Sequence, residues 1–329
     1  MTNYRDAKYT FPTVTFSGAT ESSPVEGNIW YDSGKYYLGT SQSIAGVWGS
    51  GGNLATARAA LTGAGTQTAG LAFGGDINLA DTNTNITEEY NGTAWSSGGN
   101  LGAACRQAAG CGTQTAGLKM GGTTTTAYST ATEEYDGSSW SGGGSLSTGR
   151  WGLGGCGTQT AGLCFGGTTG SNTNITEEYD GSSWSSGGNL ATAVRGMAAA
   201  GTQTAGLKTG GHDGSSSVNV TEEYNGTAWS AGGNLLVACQ YFAGAGTQTA
   251  GLCMGGVPVP TGVGTEEYDG TSWSAGGDLT TGRSQGAGAG TQGAGLYAGG
   301  STGSVSNLTE EYDAGPGTYD LLFNAVGGL

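Results

Sequence analysis

The chain alternates short apolar stretches with glycine-rich and polar stretches, and this pattern repeats six times. In the first copy, Gly65 opens G-T-Q-T-A-G-L-A-F-G-G, which is followed by a polar run and then by T-E-E-Y-N-G-T-A-W-S-S-G-G-N. By subtraction, the G-T-Q starts lie 47, 45, 44, 45 and 44 residues apart, at Gly65, Gly112, Gly157, Gly201, Gly246 and Gly290. A self-similar period of this length is typical of solenoids and propellers.

Each copy predicts four short β-strands. In the first copy these run from about Arg58 to Ala64, from Leu71 to Phe73, around Glu88 to Tyr90, and around Trp95. The first strand is mostly Ala and Gly, so we expect it to lie innermost, where converging strands have least room. The aromatic residues of the third and fourth strands should form the core between neighbouring blades. They are Tyr90, Tyr135, Tyr179, Tyr224, Tyr268 and Tyr312, with Trp48, Trp95, Trp140, Trp184, Trp229 and Trp273.

The first and last copies are incomplete in complementary ways. Trp48 belongs to a unit with no beginning ahead of it, whereas the copy that starts at Gly290 ends at Asp313 without a Trp strand. The strand around Trp48 can therefore complete the last blade and close the circle without leaving a free sheet edge. The sequence predicts an all-β fold, a six-bladed β-propeller over residues 46–313 that is closed by N-terminal strand donation.

Two segments lie outside the repeats, residues 1–45 and 314–329. Ile29 to Gly39 carries two aromatic runs around Ser33 and Gly34, which predicts a small hairpin. We interpret residues 1–45 as an N-terminal attachment arm and residues 314–329 as a C-terminal tail. The apolar run from Tyr319 to Val326 is a second candidate for attachment.

Composition excludes some partners and indicates free thiols. The net charge of -15 would repel nucleic acid and anionic lipid, and no run of 18 apolar residues or secretory signal is visible, so we expect neither nucleic-acid binding nor membrane insertion. The regular spacing of aromatic residues argues against a disordered spacer. The six cysteines occupy repeat positions that elsewhere hold residues such as Ala, so we expect free buried thiols, with Cys156 and Cys164 the only pair considered for a disulfide.

The repeat resembles a known family. A double Gly that ends a short apolar strand, then a Tyr, a Trp, a Leu and often an Arg, resembles the kelch repeat over about residues 46 to 313. The uniform G-T-Q-T-A-G-L turn, W-S-x-G-G-N-L and the leading E-G-N-I-W-Y-D-S also resemble predicted tail-fibre and other virion proteins of marine bacteriophages. The resemblance implies a kelch-like propeller in a virion, assembled in the host cytoplasm. For a protein of this kind we expect multiple copies per particle and contacts with other virion proteins through the N-terminal arm.

The six copies differ from one another in two segments. Between the double Gly and E-E-Y the copies have 12, 10, 9, 10, 9 and 9 residues, and the sequence also varies just after the Leu of N-L. In an antiparallel four-stranded blade these two segments lie at the same end, while the uniform turns lie at the other. One diverse face on a fixed scaffold is typical of a recognition surface. Neutral drift of exposed loops is the alternative.

Five of the six arginines fall in the second variable segment. They are Arg58, Arg106, Arg150, Arg195 and Arg283. We expect them to ring the mouth of the central channel and to bind an anionic or polyhydroxylated ligand such as a surface glycan. Three aromatic residues are candidates for stacking on sugar faces: Trp151, Tyr241 and Phe242. The other candidate ligand-binding residues are Gln285, Tyr128, His212 and Asp213. The alternative is that each Arg pairs with a Glu of the E-E-Y strand and ties blades together.

The sequence predicts no catalytic, metal or cofactor site. Adjacent Glu residues on a strand point to opposite faces and cannot flank one scissile bond, His212 is the only histidine, and no G-K-[ST] motif is present. We therefore expect a non-enzymatic tail-fibre or receptor-binding protein that presents its diverse face to a host surface glycan or protein. A structural decoration or baseplate protein without receptor binding, and a glycan-cleaving propeller enzyme, are the alternatives.

Overall fold

The computed structural model describes residues 46–257 and 264–314 in full. It also describes the backbone of five short strands outside this range: β1 (Phe16–Ser17), β2 (Ile29–Asp32), β3 (Lys35–Leu38), β4 (Ser41–Ser43) and β29 (Thr318–Asp320). The chain divides into two compact units, one of Gly46–Ala314 and one of Met1–Ala45 with Gly315–Leu329.

The larger unit consists of six four-stranded antiparallel sheets, which we number as blades in chain order. Blades one to three contain β6 (Thr62–Gly65), β7 (Gly70–Phe73), β8 (Thr87–Tyr90), β9 (Trp95–Ser97); β10 (Ala109–Thr113), β11 (Ala116–Met120), β12 (Thr132–Tyr135), β13 (Trp140–Gly142); β14 (Gly154–Thr158), β15 (Ala161–Phe165), β16 (Thr176–Tyr179), β17 (Trp184–Ser186). Blades four to six contain β18 (Ala198–Thr202), β19 (Ala205–Thr209), β20 (Thr221–Tyr224), β21 (Trp229–Ala231); β22 (Ala243–Gly246), β23 (Gly251–Met254), β24 (Thr265–Tyr268), β25 (Trp273–Ala275); β26 (Ala287–Gly290), β27 (Ala294–Ala298), β28 (Thr309–Asp313) and β5 (Val47–Ser50). The prediction of an all-β, six-bladed propeller is confirmed.

The Ala/Gly strand of each blade is innermost, as the sequence predicts. The first strands of neighbouring blades contact one another around the whole circle. Room there is limited, since a Cβ added to Gly63 would lie 2.4 Å from the carbonyl oxygen of Gly288. In blade one the first strand begins at Thr62 rather than near Arg58, since Ala60 adopts a left-handed conformation with φ of 55°.

The ring is closed by β5, as expected. This strand pairs antiparallel with β28, so that Trp48 lies opposite Tyr312 and Ser50 lies opposite Glu310. The N-terminal strand of the propeller thus supplies the fourth strand of blade six, and the outer edge of β28 is paired.

The tyrosines of the E-E-Y strands bind each blade to the preceding one. All six are fully buried. Each hydroxyl donates to the second Glu of the preceding blade, at 2.5 Å for Tyr135 and Glu89 and at 2.6 Å for Tyr179 and Glu134. The other pairs are Tyr90 with Glu311, Tyr224 with Glu178, Tyr268 with Glu223, and Tyr312 with Glu267. Burial and the Glu acceptor raise the pKa of Tyr135 to about 12, so this hydroxyl remains a donor at neutral pH.

The tryptophans make a second set of contacts between blades. The Trp140 ring lies 4.9 Å from the Tyr135 ring, and its Nε1–H donates to Thr87 Oγ1 of the preceding blade at 2.9 Å. The equivalent donors are Trp48, Trp95, Trp184, Trp229 and Trp273, each to the Thr that opens the E-E-Y strand of the preceding blade. The predicted position of the Tyr and Trp residues between blades is confirmed.

The Gln of each G-T-Q turn provides a third contact that sequence reasoning missed. Gln114 Nε2 donates to the carbonyl oxygens of Gly70 and Tyr90 in blade one, at 3.0 and 2.7 Å. The same two bonds recur from Gln67, Gln159, Gln203, Gln248 and Gln292. This contact gives a physical reason for the uniformity of the turn.

The smaller unit contains the predicted hairpin. Strands β2 and β3 pair antiparallel, with Trp30 opposite Tyr37, and β1 runs parallel to β2. The predicted turn at Ser33 and Gly34 lies outside the described residues. Strand β4 pairs antiparallel with β29, so a segment before the propeller and a segment after it share a sheet. The sequence did not indicate this pairing.

The part of the chain that the structure describes contains no helix long and apolar enough to cross a membrane.

The Trp contacts predict the effect of one substitution. Trp95→Ala removes the ring that packs on Tyr90 and the bond to Thr309, and we expect it to lower the free energy of unfolding by ~3 to 5 kcal/mol. Chemical denaturation measures this change, and the exposed neighbour Ser97 gives a control, since Ser97→Ala should change stability by less than ~0.5 kcal/mol. Equal unfolding curves for Trp95→Ala and the wild type would disprove the contact.

Candidate functional site

The two variable segments lie at the same end of each blade, as predicted. Backbone bridges join them in all six copies: Ala59 with Asp76, Arg106 with Thr123, Trp151 with Thr168, Arg195 with His212, Gln240 with Val257, and Ser284 with Ser301. We call the surface formed by these segments the loop face. The G-T-Q turns and the turns before each Trp strand lie at the opposite end.

A closed circle of backbone hydrogen bonds surrounds the axis at the loop face. The residue after each bridge donates its N–H to the carbonyl oxygen of its counterpart in the preceding blade, at 2.7 to 2.9 Å. The six members of this axial ring are Ala60, Gln107, Gly152, Gly196, Tyr241 and Gln285, and all have φ between 51° and 63°. Four of them carry side chains in a conformation that favours glycine, which the closed circle of bonds stabilises. In the sequence, only the glycines at positions 152 and 196 indicate this conformation, because glycine favours positive φ.

Three of the five arginines do not reach the channel mouth, so the predicted ring of five is wrong. Arg58, Arg150 and Arg283 are fully buried. Arg150 donates to Glu177 Oε1 at 2.6 Å and to two backbone carbonyls at 2.8 and 3.0 Å. The interior of the blade offers these acceptors to the guanidinium, and these three residues do pair with a Glu of an E-E-Y strand. The Arg and the Glu belong to the same blade, however, so the pair does not tie neighbouring blades together.

The partner of these arginines is the first Glu of each E-E-Y strand, which we call the inner Glu. The six are Glu88, Glu133, Glu177, Glu222, Glu266 and Glu310. In every blade one inner Glu oxygen accepts from the backbone N–H of the residue after the Leu of N-L, as Glu177 does from Ser147 at 2.8 Å. The inner Glu therefore fixes the start of the variable segment.

In blades two and four the positive charge comes from a different position. Lys119 lies 3.8 Å from Glu133, and Lys208 lies 3.7 Å from Glu222. The Arg position holds Cys105 and a Val in these blades. Burial lowers the pKa of Lys208 to about 8. The neighbouring Glu222 opposes this shift, because it favours the charged ammonium. Two sequence positions thus supply the same charge in different blades.

The other two predicted arginines lie on the loop face. Arg106 is half-buried and donates to Asp76 and Asp81 of the longest variable loop. It holds that loop against blade two.

Arg195 belongs to an aromatic cluster with Trp151, Tyr128 and Tyr241. Its guanidinium carbon lies 5.9 Å from the centroid of the Trp151 ring, and its Nε lies 3.5 Å from the Tyr241 hydroxyl oxygen. The Tyr128 ring centroid lies 6.5 Å from that of Trp151. Tyr128 is exposed and the other three are half-buried, so their edges remain open at the loop face. Four predicted residues from four blades are therefore brought together.

The channel mouth beside this cluster is concave. A cavity of about 440 Å³ is lined by Trp151, Arg106, Asp76 and Gln285, among others. Gln285 thus lies where the sequence placed it, and it also belongs to the axial ring.

The remaining predicted residues do not line this cavity. Phe242 is buried and packs between blades four and five, so the prediction that it stacks on a sugar at the channel mouth is wrong. His212 Nδ1 accepts from the Gly214 N–H at 2.9 Å, and Asp213 accepts from Ser215 and Ser216. Both residues shape their own loop.

The described residues hold no group of three or more His, Cys, Asp or Glu side chains arranged to bind a metal ion. All six cysteines are buried and free, which confirms the expectation of free thiols, and Cys156 and Cys164 are not bridged. Burial raises the pKa of Cys156 to about 12 and that of Cys164 to about 11, so both thiols are protonated and unreactive at neutral pH.

No family model matches the chain, and no curated protein matches it. The kelch and virion resemblances therefore rest on the residue patterns alone, whereas the six-bladed propeller rests on the strand pairing.

The two charge positions predict a rescue. Lys119→Ala leaves Glu133 buried without a cation and should lower the free energy of unfolding by ~3 to 5 kcal/mol. Adding Cys105→Arg places a guanidinium beside Glu133, as Arg150 does beside Glu177 in blade three, and should recover most of the lost stability. Chemical denaturation of the single and double variants measures both effects. Cys105→Arg alone is the control, because a second cation has no unpaired inner Glu in blade two and should not stabilise it. A double variant no more stable than Lys119→Ala would contradict the equivalence of the two positions.

Proposed function

We propose that the protein is a non-enzymatic component of a bacteriophage particle, and that the loop face of its kelch-like propeller binds a receptor on the host surface. The virion assignment is supported by the repeat turn and by E-G-N-I-W-Y-D-S, which resemble tail-fibre sequences. The observation that carries the receptor assignment is the confinement of sequence diversity to one face.

The opposite face is uniform for a physical reason. Its Gln side chains cap carbonyls of the preceding blade, and the Asp or Asn of its second turn accepts from the turn amides, as Asp136 does from Ser138 and Ser139 at 2.8 Å. The bonds that all six copies share at the loop face lie at its base, in the inner Glu and the axial ring. Side chains beyond that base are free to differ, which suits a recognition surface.

The chemistry of the loop face fits a carbohydrate. Trp151 and Tyr128 offer aromatic rings, Arg195 offers charged donors, and the mouth cavity offers Arg106 and Gln285. Sugar rings present apolar faces to aromatic rings and hydroxyls to such polar groups. We therefore favour a surface glycan as the receptor, bound near the axis.

The smaller unit is the attachment site in this proposal. Its strands come from both ends of the chain, through the pairing of β4 with β29. Contacts of this unit with other virion proteins would leave the propeller as the part that meets the host. Multiple copies on one particle would convert weak single contacts into stable attachment.

A binding comparison tests the receptor. We would measure binding of the purified protein to intact host-type cells and to a glycan array, beside a Trp151→Ala/Arg195→Gln variant. Truncation of an interface aromatic costs ~2 kcal/mol or more, so we expect a loss of about tenfold or more in affinity. The control is Thr115→Ala/Thr160→Ala, which changes two exposed residues on the opposite face and should bind like the wild type.

Two results would contradict the proposal. Equal binding by the folded Trp151→Ala/Arg195→Gln variant would exclude the aromatic cluster as the receptor site. Absence of wild-type binding across broad panels of cells and glycans would favour a structural role for the propeller.

A further inference from the structure

Blade five lacks the internal cation that the other five blades have. Its inner Glu is Glu266, and the two positions that supply the cation elsewhere hold Cys239 and Cys253. The ion pairs of the inner Glu residues in the described part of the chain are those of the other five blades. Burial raises the pKa of Glu266, in line with a carboxyl group that has no cation beside it.

The acceptors for a guanidinium are nevertheless in place. In blade one, Arg58 donates to Glu88 at 3.0 Å and to the carbonyl oxygens of Gly74 and Ile86, both at 2.8 Å. The Gly74 N–H also donates to the Ile86 carbonyl at 3.0 Å, which fixes the two carbonyls relative to each other. Blades three and six repeat this arrangement around Arg150 and Arg283.

In blade five the equivalent acceptors are Glu266 and the carbonyls of Gly255 and Gly264. The Gly255 N–H donates to the Gly264 carbonyl at 2.9 Å, as in the other blades. Glu266 Oε2 accepts from the Leu236 N–H at 2.8 Å, so its carboxylate has the orientation of the other inner Glu residues. The Cys239 thiol, 3.5 Å from the Gly255 carbonyl, is the side chain that stands where an arginine stands in blades one, three and six.

The space that an arginine would fill is open in blade five. A cavity of about 200 Å³ is lined by Glu266, Cys239, Cys253 and Phe242, among others. Leu236 and Val237, also in its lining, are 59% and 53% exposed. Glu266 is half-buried, whereas the other five inner Glu residues are buried. The site is therefore accessible from solvent across an apolar rim.

Blade three shows how little separates a filled site from an open one. It also has a Cys at the second position, and Arg150 Nη2 lies 3.4 Å from Cys164 Sγ. Blade five has the same residue there, Cys253, and differs at the first position, where Cys239 replaces the arginine. A planar guanidinium matches a carboxylate flanked by two carbonyls better than a compact ammonium does.

We propose that blade five binds a guanidinium group carried by a ligand, in the place that Arg58, Arg150 and Arg283 fill in their own blades. The guanidinium donates to Glu266, Gly255 and Gly264, and the alkyl chain that carries it contacts Leu236 and Val237 at the rim. The ligand class is an alkylguanidinium, of which an arginine side chain is one form. This site is separate from the aromatic cluster and holds whether or not the loop face binds a host receptor.

Isothermal titration with n-butylguanidinium tests the site. We expect one bound probe per wild-type chain, and binding weakened about tenfold or more in Glu266→Gln, which removes the charge. Cys239→Arg should abolish binding, because its own guanidinium fills the cavity, and it should raise the melting temperature. Equal affinity for n-butylammonium would overturn the choice of guanidinium.

Blade three provides the matched control. Arg150→Cys reproduces the two cysteines and the unpaired inner Glu of blade five, and should raise the stoichiometry from one probe to two per folded chain. If Arg150→Cys does not fold, the comparison of wild type with Cys239→Arg still decides the matter. No binding by the wild type, or binding by Cys239→Arg as tight as that by the wild type, would overturn the proposal.

Discussion

Closure of the ring is the constraint on which the rest of the structure depends. Six blades return to their starting point only if each contacts the next in the same way, and if the last finds a fourth strand. β5 supplies that strand by pairing with β28. The conserved geometry between blades comes from three repeated bonds, made by a Tyr, a Trp and a Gln to the preceding blade. The variable segments of the loop face lie outside these three bonds and are released from the constraint.

Each blade also has to accommodate a buried carboxylate. The inner Glu is needed because it binds a backbone N–H at the start of the variable segment, yet an uncompensated buried charge costs several kcal/mol. Arg150 and Lys208 show two solutions from different positions. Blade five has neither, and its Glu266 is more exposed and borders a cavity. The same chemistry that stabilises five blades thus leaves an open acceptor set in the remaining one.

The sequence was sufficient to predict the scaffold but not the direction of individual side chains. Periodicity predicted the blades, the strand order and the Tyr and Trp residues between blades, because each of these repeats six times. The complementary gaps in the first and last copies predicted the closing strand around Trp48. Periodicity placed Arg150 in the correct segment, but spacing alone does not say whether a side chain points to the axis or into the blade. Phe242 was misplaced for the same reason.

Two features of the site escaped the sequence analysis for different reasons. The axial ring depends on backbone conformation, and four of its six residues are not glycine, so composition does not reveal it. The supply of the buried positive charge from two alternative positions did leave a signal in the sequence. No copy carries both an Arg at the position of Arg58 and a Lys at the position of Lys119. Comparing pairs of positions between copies, rather than single positions, would have predicted that Arg58 is internal.

Electron cryo-microscopy of a phage particle, of which we propose that this protein is a component, is the most direct test of the central claim, that a uniform ring presents one diverse face for recognition. The account predicts a propeller on the outside of the particle, held through the unit formed by residues 1–45 and 315–329, with Trp151 and Tyr128 facing solvent. A loop face buried against neighbouring virion subunits, or a particle that lacks the protein, would contradict it.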